Sequence, residues 1–592
     1  MKKTITLLLS LVLTAVVGCT DDEPDIRTNQ EIDYPAYADK EFDNGSGIDY
    51  IELNEQLTEN LVLLGRIWGF LKYHHPEVGK GNYNWDYELF RILPKYLQVN
   101  NTEERDNVLS DWIERYGEIP VCSTCSETPP TAFIKPNLLW AESSNMNNAL
   151  KAKIREIYQN RHQGEHFYIR MDNNTNKVPE FLHEKVFTSM ECPDAGIRLL
   201  ALYRYWNMIH YFFPYKHLTD KNWDDILQEY VPMLISVENR LDYDLVISQL
   251  VAETHDSHAN GFGIRLKLDE LRGYNYAPFQ ARFIEGKFVV SRYYRPDLQV
   301  TTGLKVGDVI THINGEAVET IVENLKKYYP ASNEAERLCF MSYDLLRSNQ
   351  NSITLNYTSK EQEGQIEVRL HSYFTLDMPS RYDGWYRVDK NKKCYRFLDE
   401  HIGYVTLASI KDEDVYEIKN AFRNTKGIII DIRNYPSSTE AYNSLSSYFV
   451  SSASKPIAYH IRGNKDNPGE FTFSSMLIIP TDGNVFYKGK LIVLINEITF
   501  SNAELAAMCY RAGSNTTIIG STTAGAVGRN PTIVLPGGIT TTMTGIGFHF
   551  PDGTETQRVG IVPDIWCEPT IEGIWEGRDE LLEMAINLIN EE

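Results

Sequence analysis

Two stretches of the chain repeat one another at a constant offset of 138 residues, with no gap in the alignment. Most of the matched positions are Trp or Pro. The matches are Trp68 with Trp206, Tyr73 with Tyr211, Pro76 with Pro214, Trp85-Asp86 with Trp223-Asp224, and Pro94 with Pro232. Such a repeat is typical of a duplicated helix–turn–helix unit whose aromatic-rich stripe packs each copy. We therefore predict a duplicated helical N-terminal region, with repeat 1 at 49–130, a connecting region at 131–195 and repeat 2 at 196–265.

The two copies differ in one polar cluster. Repeat 2 ends in the run THDSHANG at 254–261, which contains Ser257 and His258. At the equivalent positions repeat 1 has Ile119 and Pro120. We interpret the first copy as a scaffold and the second as the copy that carries polar chemistry.

Charge and length limit the classes of function. The 592 residues carry a net charge of −23, which gives the chain no overall attraction to phosphate backbones, so nucleic-acid binding is not expected. The apolar fraction of 42% excludes intrinsic disorder and allows several domains. Eight cysteines are too few for a disulfide scaffold. Cys122 and Cys125 are most simply a local disulfide, although a redox pair or half a zinc site are alternatives.

The N-terminus has the pattern of an export signal. Residues 1–18 combine two lysines with an apolar run that is too short to span a membrane comfortably. Small residues then precede Cys19, which resembles a bacterial lipobox, so Cys19 is predicted to be the lipidated first residue of an outer-membrane lipoprotein. Residues 19–48 would form the tether, and the body would face the periplasm or the cell surface. An ordinary signal peptide with an incidental cysteine is the alternative.

A β-rich segment follows at 280–372. Its run GLKVGDVITHING, at 303–315, resembles the central strand and turn of a PDZ domain. Such domains bind extended peptides by strand addition, so the resemblance implies substrate contacts at Gly303 and Leu304. A spacer that binds nothing is the alternative.

The pattern becomes α/β over 395–592. Apolar runs at 402–407, 427–432 and 491–496 predict strands that are covered on both faces, and 412–422 and 503–511 predict helices. With the segments before it, this region makes the chain a multidomain α+β protein.

One strand–turn–helix unit could carry catalysis. The strand at 491–496 leads through a short turn to Ser501, which is placed at the N-cap of the next helix. Unpaired N–H groups and the helix dipole at that point would stabilise an oxyanion. Ser501 and Glu504 also form a capping-box pattern, which needs no catalytic role.

Four sequence blocks, of which this unit is the second, resemble in content and order those of the C-terminal-processing (tail-specific) serine peptidases. The blocks are IIIDIRNYPSS at 428–438, the Ser501 unit, GSTTAG at 520–525, and PDG at 551–553 before VGIVPD at 559–564. The resemblance implies a serine peptidase core of the ClpP/crotonase-like α/β type. It places the nucleophile at Ser501, oxyanion donors at the Asn502 and Ser437 N–H groups, and a substrate contact at Gly525.

The general base would be a histidine. In the tail-specific branch it is a lysine, but the matching position here is Ala526 and no lysine follows Lys490. The tricorn-like branch of the family uses a histidine preceded by a serine, which matches Ser257-His258. An imidazole, with an ordinary pKa of about 6.5, can accept the hydroxyl proton at neutral pH. Metal binding by His255, Asp256 and His258 is the rival interpretation.

The chain departs from the family pattern at two places. Gln557 stands where the family has a Glu that supports the histidine, and Glu555 is the nearest carboxylate that could replace it. Ser437-Ser438 stands where Gly-Gly is expected. Both changes leave open an inactive descendant that binds a peptide or an apolar ligand.

The sequence as a whole predicts a lipid-anchored serine endopeptidase that acts outside the cytoplasm on peptides or unfolded protein tails. Ser501 would attack, His258 would move the proton, and Ser257 with Gln557 or Glu555 would orient the base. The expected partners are a protein substrate and a membrane, and no metal or organic cofactor is expected.

Overall fold

The computed structural model describes residues 34–591, apart from 173–177, 189, 191, 261–264, 361, 379–390, 452 and 484–485. The predicted signal peptide, Cys19 and the first half of the tether lie outside the described residues. Within the described part, no helix combines the length and apolarity that a membrane crossing requires.

The N-terminal half is built mainly from helices. They are α1 (Glu55–His74), α2 (Pro76–Gly79), α3 (Trp85–Tyr96), α4 (Thr102–Glu114), α5 (Leu139–Ser143), α6 (Asn148–Gln159), α7 (Ala195–Phe212), α8 (Trp223–Ile235) and α9 (Arg240–Ala252). Two short strands, β1 (Ile169–Met171) and β2 (Pro179–Phe181), pair antiparallel in the connecting region. Cys122 and Cys125 form a disulfide, as the sequence predicts.

The two repeated stretches share a reciprocal tryptophan contact. The Trp68 indole N–H donates to the Trp85 carbonyl at 3.0 Å, and the Trp85 indole returns the bond at 2.8 Å. In the second stretch, Trp206 and Trp223 make the same two bonds at 2.8 and 3.1 Å. All four rings are buried, so the interpretation of these aromatic residues as core is confirmed.

A buried ion cluster ties the helical elements together. Lys72 of α1 lies 2.7 Å from Glu184 and 3.6 Å from Asp86 of α3. Arg204 of α7 lies 2.6 Å from Asp86 and 2.7 Å from Glu184. Two cations therefore balance two carboxylates inside the core, which compensates the cost of removing all four charges from water.

The middle of the chain is β-rich. Its helices are α10 (Arg265–Arg272), α11 (Gln299–Thr302), α12 (Val318–Leu325) and α13 (Glu334–Ser342). Its strands are β3 (Asn275–Tyr276), β4 (Phe279–Ile284), β5 (Lys287–Tyr293), β6 (Val309–Ile313), β7 (Glu316–Ala317), β8 (Arg347–Ser348), β9 (Ser352–Ser359), β10 (Gln362–Arg369) and β11 (His371–Ser372). The main sheet has the order β10-β9-β6-β5-β4, is antiparallel, and carries β7 beside β6.

The C-terminal region is an α/β domain. Its strands are β12 (Tyr395–Asp399), β13 (Ile402–Thr406), β14 (Gly427–Asp431), β15 (Lys455–Gly463), β16 (Phe471–Ile479), β17 (Lys490–Ile495), β18 (Thr516–Gly520), β19 (Thr532–Leu535), β20 (Ile539–Thr542), β21 (Gly547–His549) and β22 (Ile565–Trp566). Its helices are α14 (Asp414–Phe422), α15 (Thr439–Ser446), α16 (Asn502–Arg511), α17 (Ile571–Glu576) and α18 (Glu580–Asn590). The main sheet runs β12-β13-β14-β17-β18-β22 and is parallel from β13 onward. The three predicted apolar runs correspond to β13, β14 and β17.

The β19–β20 hairpin joins the α/β domain to the helical core. Its residues Ile533, Leu535 and Ile539 are buried in the same apolar cluster as the repeat tryptophans. On β20 itself, the Thr541 hydroxyl donates to the Ala259 carbonyl at 2.8 Å and the Thr542 hydroxyl donates to the His258 carbonyl at 2.5 Å. The hairpin therefore fixes the end of repeat 2 against the α/β domain.

Candidate active site

Ser501 lies at a strained turn between β17 and α16. Its φ of +54° and ψ of −110° are uncommon for a residue with a side chain. Such a conformation costs free energy and persists only where the surroundings enforce it, most often at a functional site. The side chain is largely buried, at 8% exposure, and it lines the cleft described below.

The carboxylate of Glu504 holds this turn. It accepts the Ser501 N–H at 3.0 Å and the Ala526 N–H at 3.0 Å through one oxygen. Its other oxygen accepts the Thr523 hydroxyl at 2.5 Å and the Gly525 N–H at 2.8 Å. One buried side chain thereby joins the Ser501 turn to the 520–526 loop, and the capping interaction expected from sequence is part of a larger network.

The structure brings His258 to Ser501. The imidazole Nε2 of His258 lies 3.0 Å from Ser501 Oγ, although 243 residues separate them in sequence. His258 belongs to a 3₁₀ turn, Ser257–Ala259, that follows α9. The Gly528 carbonyl, at 3.3 Å, is a second acceptor within reach of the same hydroxyl. A hydroxyl and a ring nitrogen at this distance are in position for proton transfer.

The other ring nitrogen is bound through Thr544. His258 Nδ1 lies 2.8 Å from Thr544 Oγ1, and the Thr544 hydroxyl donates to Asp256 Oδ1 at 2.8 Å. Because the hydroxyl proton goes to Asp256, Thr544 Oγ1 is left to accept the Nδ1–H of the imidazole. This places the ring proton on Nδ1 and leaves Nε2 as the acceptor that faces Ser501.

Asp256 is a fully buried carboxylate with several donors. It accepts the Thr544 N–H at 2.5 Å, the His258 N–H at 3.1 Å and the Gln557 amide at 3.3 Å. Burial raises the pKa of Asp256, but the hydrogen bonds from His258 and Thr544 and the attraction of His258 outweigh it and lower the pKa overall. The charge of Asp256 thus stabilises the fold above the ordinary carboxyl pKa, and this contribution is lost as the pH falls through the lowered value.

Ser257 and Gln557 support the position of His258 indirectly. Ser257 exchanges two hydrogen bonds with Ser332, with its N–H donating to Ser332 Oγ at 3.0 Å and its hydroxyl accepting the Ser332 N–H at 2.9 Å. Gln557 donates to the same Ser332 hydroxyl at 3.2 Å. Ser257 therefore fixes the backbone that carries His258, and these bonds join it to the β-rich segment.

The structure contradicts two of the predicted roles. Glu555 does not replace the missing family carboxylate, because its Oε1 lies 2.5 Å from Nε2 of His217 and the carboxylate linked to His258 is that of Asp256. Ser437 does not offer a free oxyanion donor, because its N–H is bonded to the Leu407 carbonyl at 2.9 Å. Asn502 does begin α16 beside Ser501, as expected.

The remaining predicted residues lie apart from the Ser501–His258 contact. The Gly525 N–H donates to Glu504 and its carbonyl accepts the Arg558 N–H, at 2.8 Å each, so both groups stabilise the loop that contains Gly525. Gly303 ends α11 at φ +74°, and the side chain of Leu304 is buried in the core of the β-rich segment. His255 faces Asp220, with Nε2 at 2.9 Å from Oδ2, and does not share a site with His258.

The described residues hold no group of three or more His, Cys, Asp and Glu side chains arranged for a metal ion. The rival metal interpretation therefore has no geometric support in this part of the chain.

A cleft of about 790 Å³ opens on Ser501. It is bordered by β2 on one side and by the residues after β14 and β18 on the other. Its apolar lining includes Phe181, Leu182, Leu505, Val527 and Phe548. A cleft of this size, with a few polar groups around Ser501, suits an extended peptide or another medium-sized ligand.

The comparisons with known proteins agree with this site. Residues 401–567 match the model of peptidase family S41. The chain carries a serine peptidase domain of family S41. This S41 domain includes Ser501 and Thr544, whereas His258 and Asp256 lie outside the matched residues. No curated protein matches the chain.

Solved structures extend the similarity of fold beyond the S41 domain. Mature CPAF complexed with lactacystin is 15% identical, with a TM-score of 0.51 over 67% of this chain and 99% of that chain. A mutant of CPAF is 16% identical, with a TM-score of 0.53 over 67% of this chain and 98% of that chain. The photosystem II D1 C-terminal processing protease is 16% identical, with a TM-score of 0.35 over 63% of this chain and 92% of that chain.

The sequence alone does not indicate that three residues of the site support His258. Asp256 was considered only as a metal ligand, although its position two residues before His258 is a usable signal. Thr544 belongs to a threonine-rich stretch with no distinguishing pattern, and Ser332 lies in another segment altogether. Only the fold shows which of many polar side chains meet at the imidazole.

We predict that Glu504→Gln destabilises the protein. Whichever way the amide is oriented, its NH₂ group faces at least one of the N–H donors that now bind a carboxylate oxygen, so buried hydrogen bonds are lost. The expected cost is about 2–3 kcal/mol, measured as a lower urea midpoint and melting temperature. Glu583→Gln on α18, where the side chain is 43% exposed, is the matched control and should leave both values unchanged. A Glu504→Gln protein as stable as the wild type would contradict the role given to Glu504.

Proposed function

We propose that this chain is a serine endopeptidase that cleaves peptides or unfolded protein tails, with Ser501 as nucleophile and His258 as general base. The observation that carries the proposal is the 3.0 Å contact between Ser501 Oγ and His258 Nε2, at a strained serine in an open cleft. The S41 domain supports the same chemistry.

The bond changes follow the order of acyl transfer. His258 Nε2 takes the Ser501 proton while Oγ forms a bond to the scissile carbonyl carbon, and the carbonyl electron pair moves to oxygen. The imidazolium then gives its proton to the leaving amine as the C–N bond breaks. Water attacks the resulting ester with His258 again acting as base, which releases the acid and restores Ser501.

Asp256 provides the negative charge that the imidazolium needs, and Thr544 links it to the ring. When His258 becomes protonated, its Nδ1–H continues to donate to Thr544 Oγ1, and the Thr544 hydroxyl donates to the ionised Asp256. The carboxylate lies 3.7 Å from Nδ1, so its charge acts partly through space and partly through the threonine. This arrangement does the work that a glutamate at position 557 would do, and Gln557 keeps Asp256 in place.

A fluorophosphonate probe tests the proposal. We expect the wild type to be labelled, Ser501→Ala to be unlabelled, and His258→Asn to be labelled about 10²- to 10⁴-fold more slowly, because the base is lost. His255→Asn is the matched control, since it removes a neighbouring imidazole that pairs with Asp220, and it should label at the wild-type rate.

Two outcomes would contradict the proposal. A folded wild type that neither labels nor cleaves a denatured protein would indicate a non-catalytic binding protein. Activity that survives Ser501→Ala and is lost to a chelator would indicate a metallopeptidase.

The same assay separates Thr544 from a purely structural residue. Thr544→Ser keeps the hydroxyl and should stay near wild type, whereas Thr544→Val removes the link to Asp256 and should lower kcat/KM. The fall should appear in kcat with little change in KM, because Thr544 acts on the imidazolium and not on the bound peptide. A valine variant whose kcat stays at the wild-type value would mean that Thr544 only packs.

We further propose that the segment at 280–372 is a PDZ-like domain that presents an extended peptide end, near Gly303 and Leu304. This proposal rests on the antiparallel sheet, with the GLKVGDVITHING motif running from the end of α11 through β6, and on the Ser332 contacts with Ser257 and Gln557. On Ser501→Ala protein, a peptide with a free C-terminal carboxylate should bind more tightly than the same peptide as its amide. Equal affinities would reject this role for the domain.

The repeated tryptophan contact supports the proposal that the helical region arose by duplication.

The lipobox supports the proposal that Cys19 anchors the protein to the outer membrane, with the body facing the periplasm or the cell surface. Cells fed a radiolabelled fatty acid should label the wild type and not Cys19→Ala, with Cys192→Ala as control. Equal labelling of wild type and Cys19→Ala would overturn the anchor.

A further inference from the structure

In the loop after β14, the backbone N–H predicted to bind an oxyanion is already hydrogen-bonded within the protein. The N–H of Ser437 is bonded to the Leu407 carbonyl, and the residue before it, Pro436, has no N–H. The Ser437 hydroxyl is also used, donating to the Ile410 carbonyl at 2.5 Å. Asn502 therefore remains as the backbone donor of the predicted pair, whereas an oxyanion hole commonly has two donors.

Tyr435 brings a hydroxyl to the same place. It lines the cleft together with Ser501 and Asn502, and its side chain is 37% exposed. Its hydroxyl lies close enough to the Ser501 side chain and to the Asn502 N–H for both to lower the pKa of the phenol. The phenol oxygen thus lies against the backbone donor to which an oxyanion formed at Ser501 would bind.

The phenol is suited to donate a proton into this site. Burial raises the pKa of Tyr435, and the opposing effects of the nearby Ser501 side chain and Asn502 N–H only partly offset that rise. The hydroxyl therefore stays protonated at neutral pH and can donate to a developing negative charge. A neutral donor of this kind stabilises an oxyanion without introducing a charge of its own.

The loop holds this tyrosine in a defined position. Pro436 restricts the backbone directly after it, and the two bonds of Ser437 fix the next residue to the segment after β13. Asn434, directly before it, is buried. A donor held in this way loses little freedom when the intermediate forms, which is the condition for effective transition-state stabilisation.

We infer that the Tyr435 hydroxyl is the second oxyanion donor of this peptidase, in place of the Ser437 N–H. In the free enzyme the phenol oxygen lies near the Asn502 N–H. When Ser501 attacks, the oxyanion takes that N–H and also accepts the O–H of Tyr435. The phenol keeps its proton throughout, so the contact is a hydrogen bond and adds no bond-breaking step. This inference rests on the proposed serine peptidase function.

The test is Tyr435→Phe, which removes one oxygen and keeps the ring. We expect kcat to fall about 10²- to 10³-fold with little change in KM, as for loss of one oxyanion donor. A peptide aldehyde, which forms a hemiacetal oxyanion with Ser501, should lose affinity by a similar factor. Binding of the uncleaved peptide to Ser501→Ala protein should not change when Tyr435→Phe is added.

Tyr442→Phe is the matched control. The Tyr442 hydroxyl donates to the side-chain oxygen of Asn502 at 2.7 Å, so this variant removes a hydroxyl from the same neighbourhood without touching the backbone donor. It should retain a kcat within about threefold of wild type. The melting temperatures of both variants show whether either change only weakens the fold.

The possible results separate this inference from the proposed function. A Tyr435→Phe enzyme with unchanged kcat overturns the inference, and a faster one would show that the hydroxyl obstructs the site. A loss seen only in KM would make Tyr435 a substrate contact and also overturns it. A wild type without Ser501-dependent turnover would instead reject the peptidase proposal, and this inference would fall with it.

Discussion

The buried carboxylate of Asp256 is the interaction on which the geometry of the site depends. A charge with no exposed surface is tolerated only where donors surround it. Here one donor, His258, lies in the same turn, and the others come from two distant segments, Thr544 after the β19–β20 hairpin and Gln557 before β22. Satisfying this one group fixes the helical region against the α/β domain. The 3.0 Å contact between Ser501 and His258 is a consequence of that arrangement.

The two departures from the family pattern, at position 557 and at positions 437–438, have a common physical explanation. The charge that a glutamate would supply at position 557 is supplied from position 256, on the same segment as the imidazole, and the glutamine serves as a hydrogen-bond donor to it. Likewise, serines replace the glycine pair at 437–438, and the N–H of the first is bonded to the neighbouring strand segment. In the proposed mechanism, each function passes to a nearby group instead of being lost.

Local sequence patterns predicted the parts of the molecule that local physics determines. The strand–turn–helix at Ser501, the β14 and β17 strands, the disulfide between Cys122 and Cys125, and the buried tryptophans all follow from apolar runs, capping residues or spacing. The meeting of Ser501 and His258 was expected only because a family resemblance linked them. Spacing does not determine which acceptor takes a given N–H, so the bond from Ser437 to Leu407 could not be foreseen. The same limit applies to Glu555, which lies two residues from Gln557 yet faces His217.

The placement of the β19–β20 hairpin has a consequence for the living cell. Its apolar residues complete a core whose other members were synthesised more than 250 positions earlier, and Thr544 comes directly after it. Translation proceeds from the N-terminus, so the helical region leaves the ribosome with a gap in its interior and with an unpaired acidic group near its end. The contact between Ser501 and His258 cannot settle until the segment that contains Thr544 and Gln557 has also emerged. A nascent chain of this design therefore holds the two residues apart until synthesis has passed well beyond both of them.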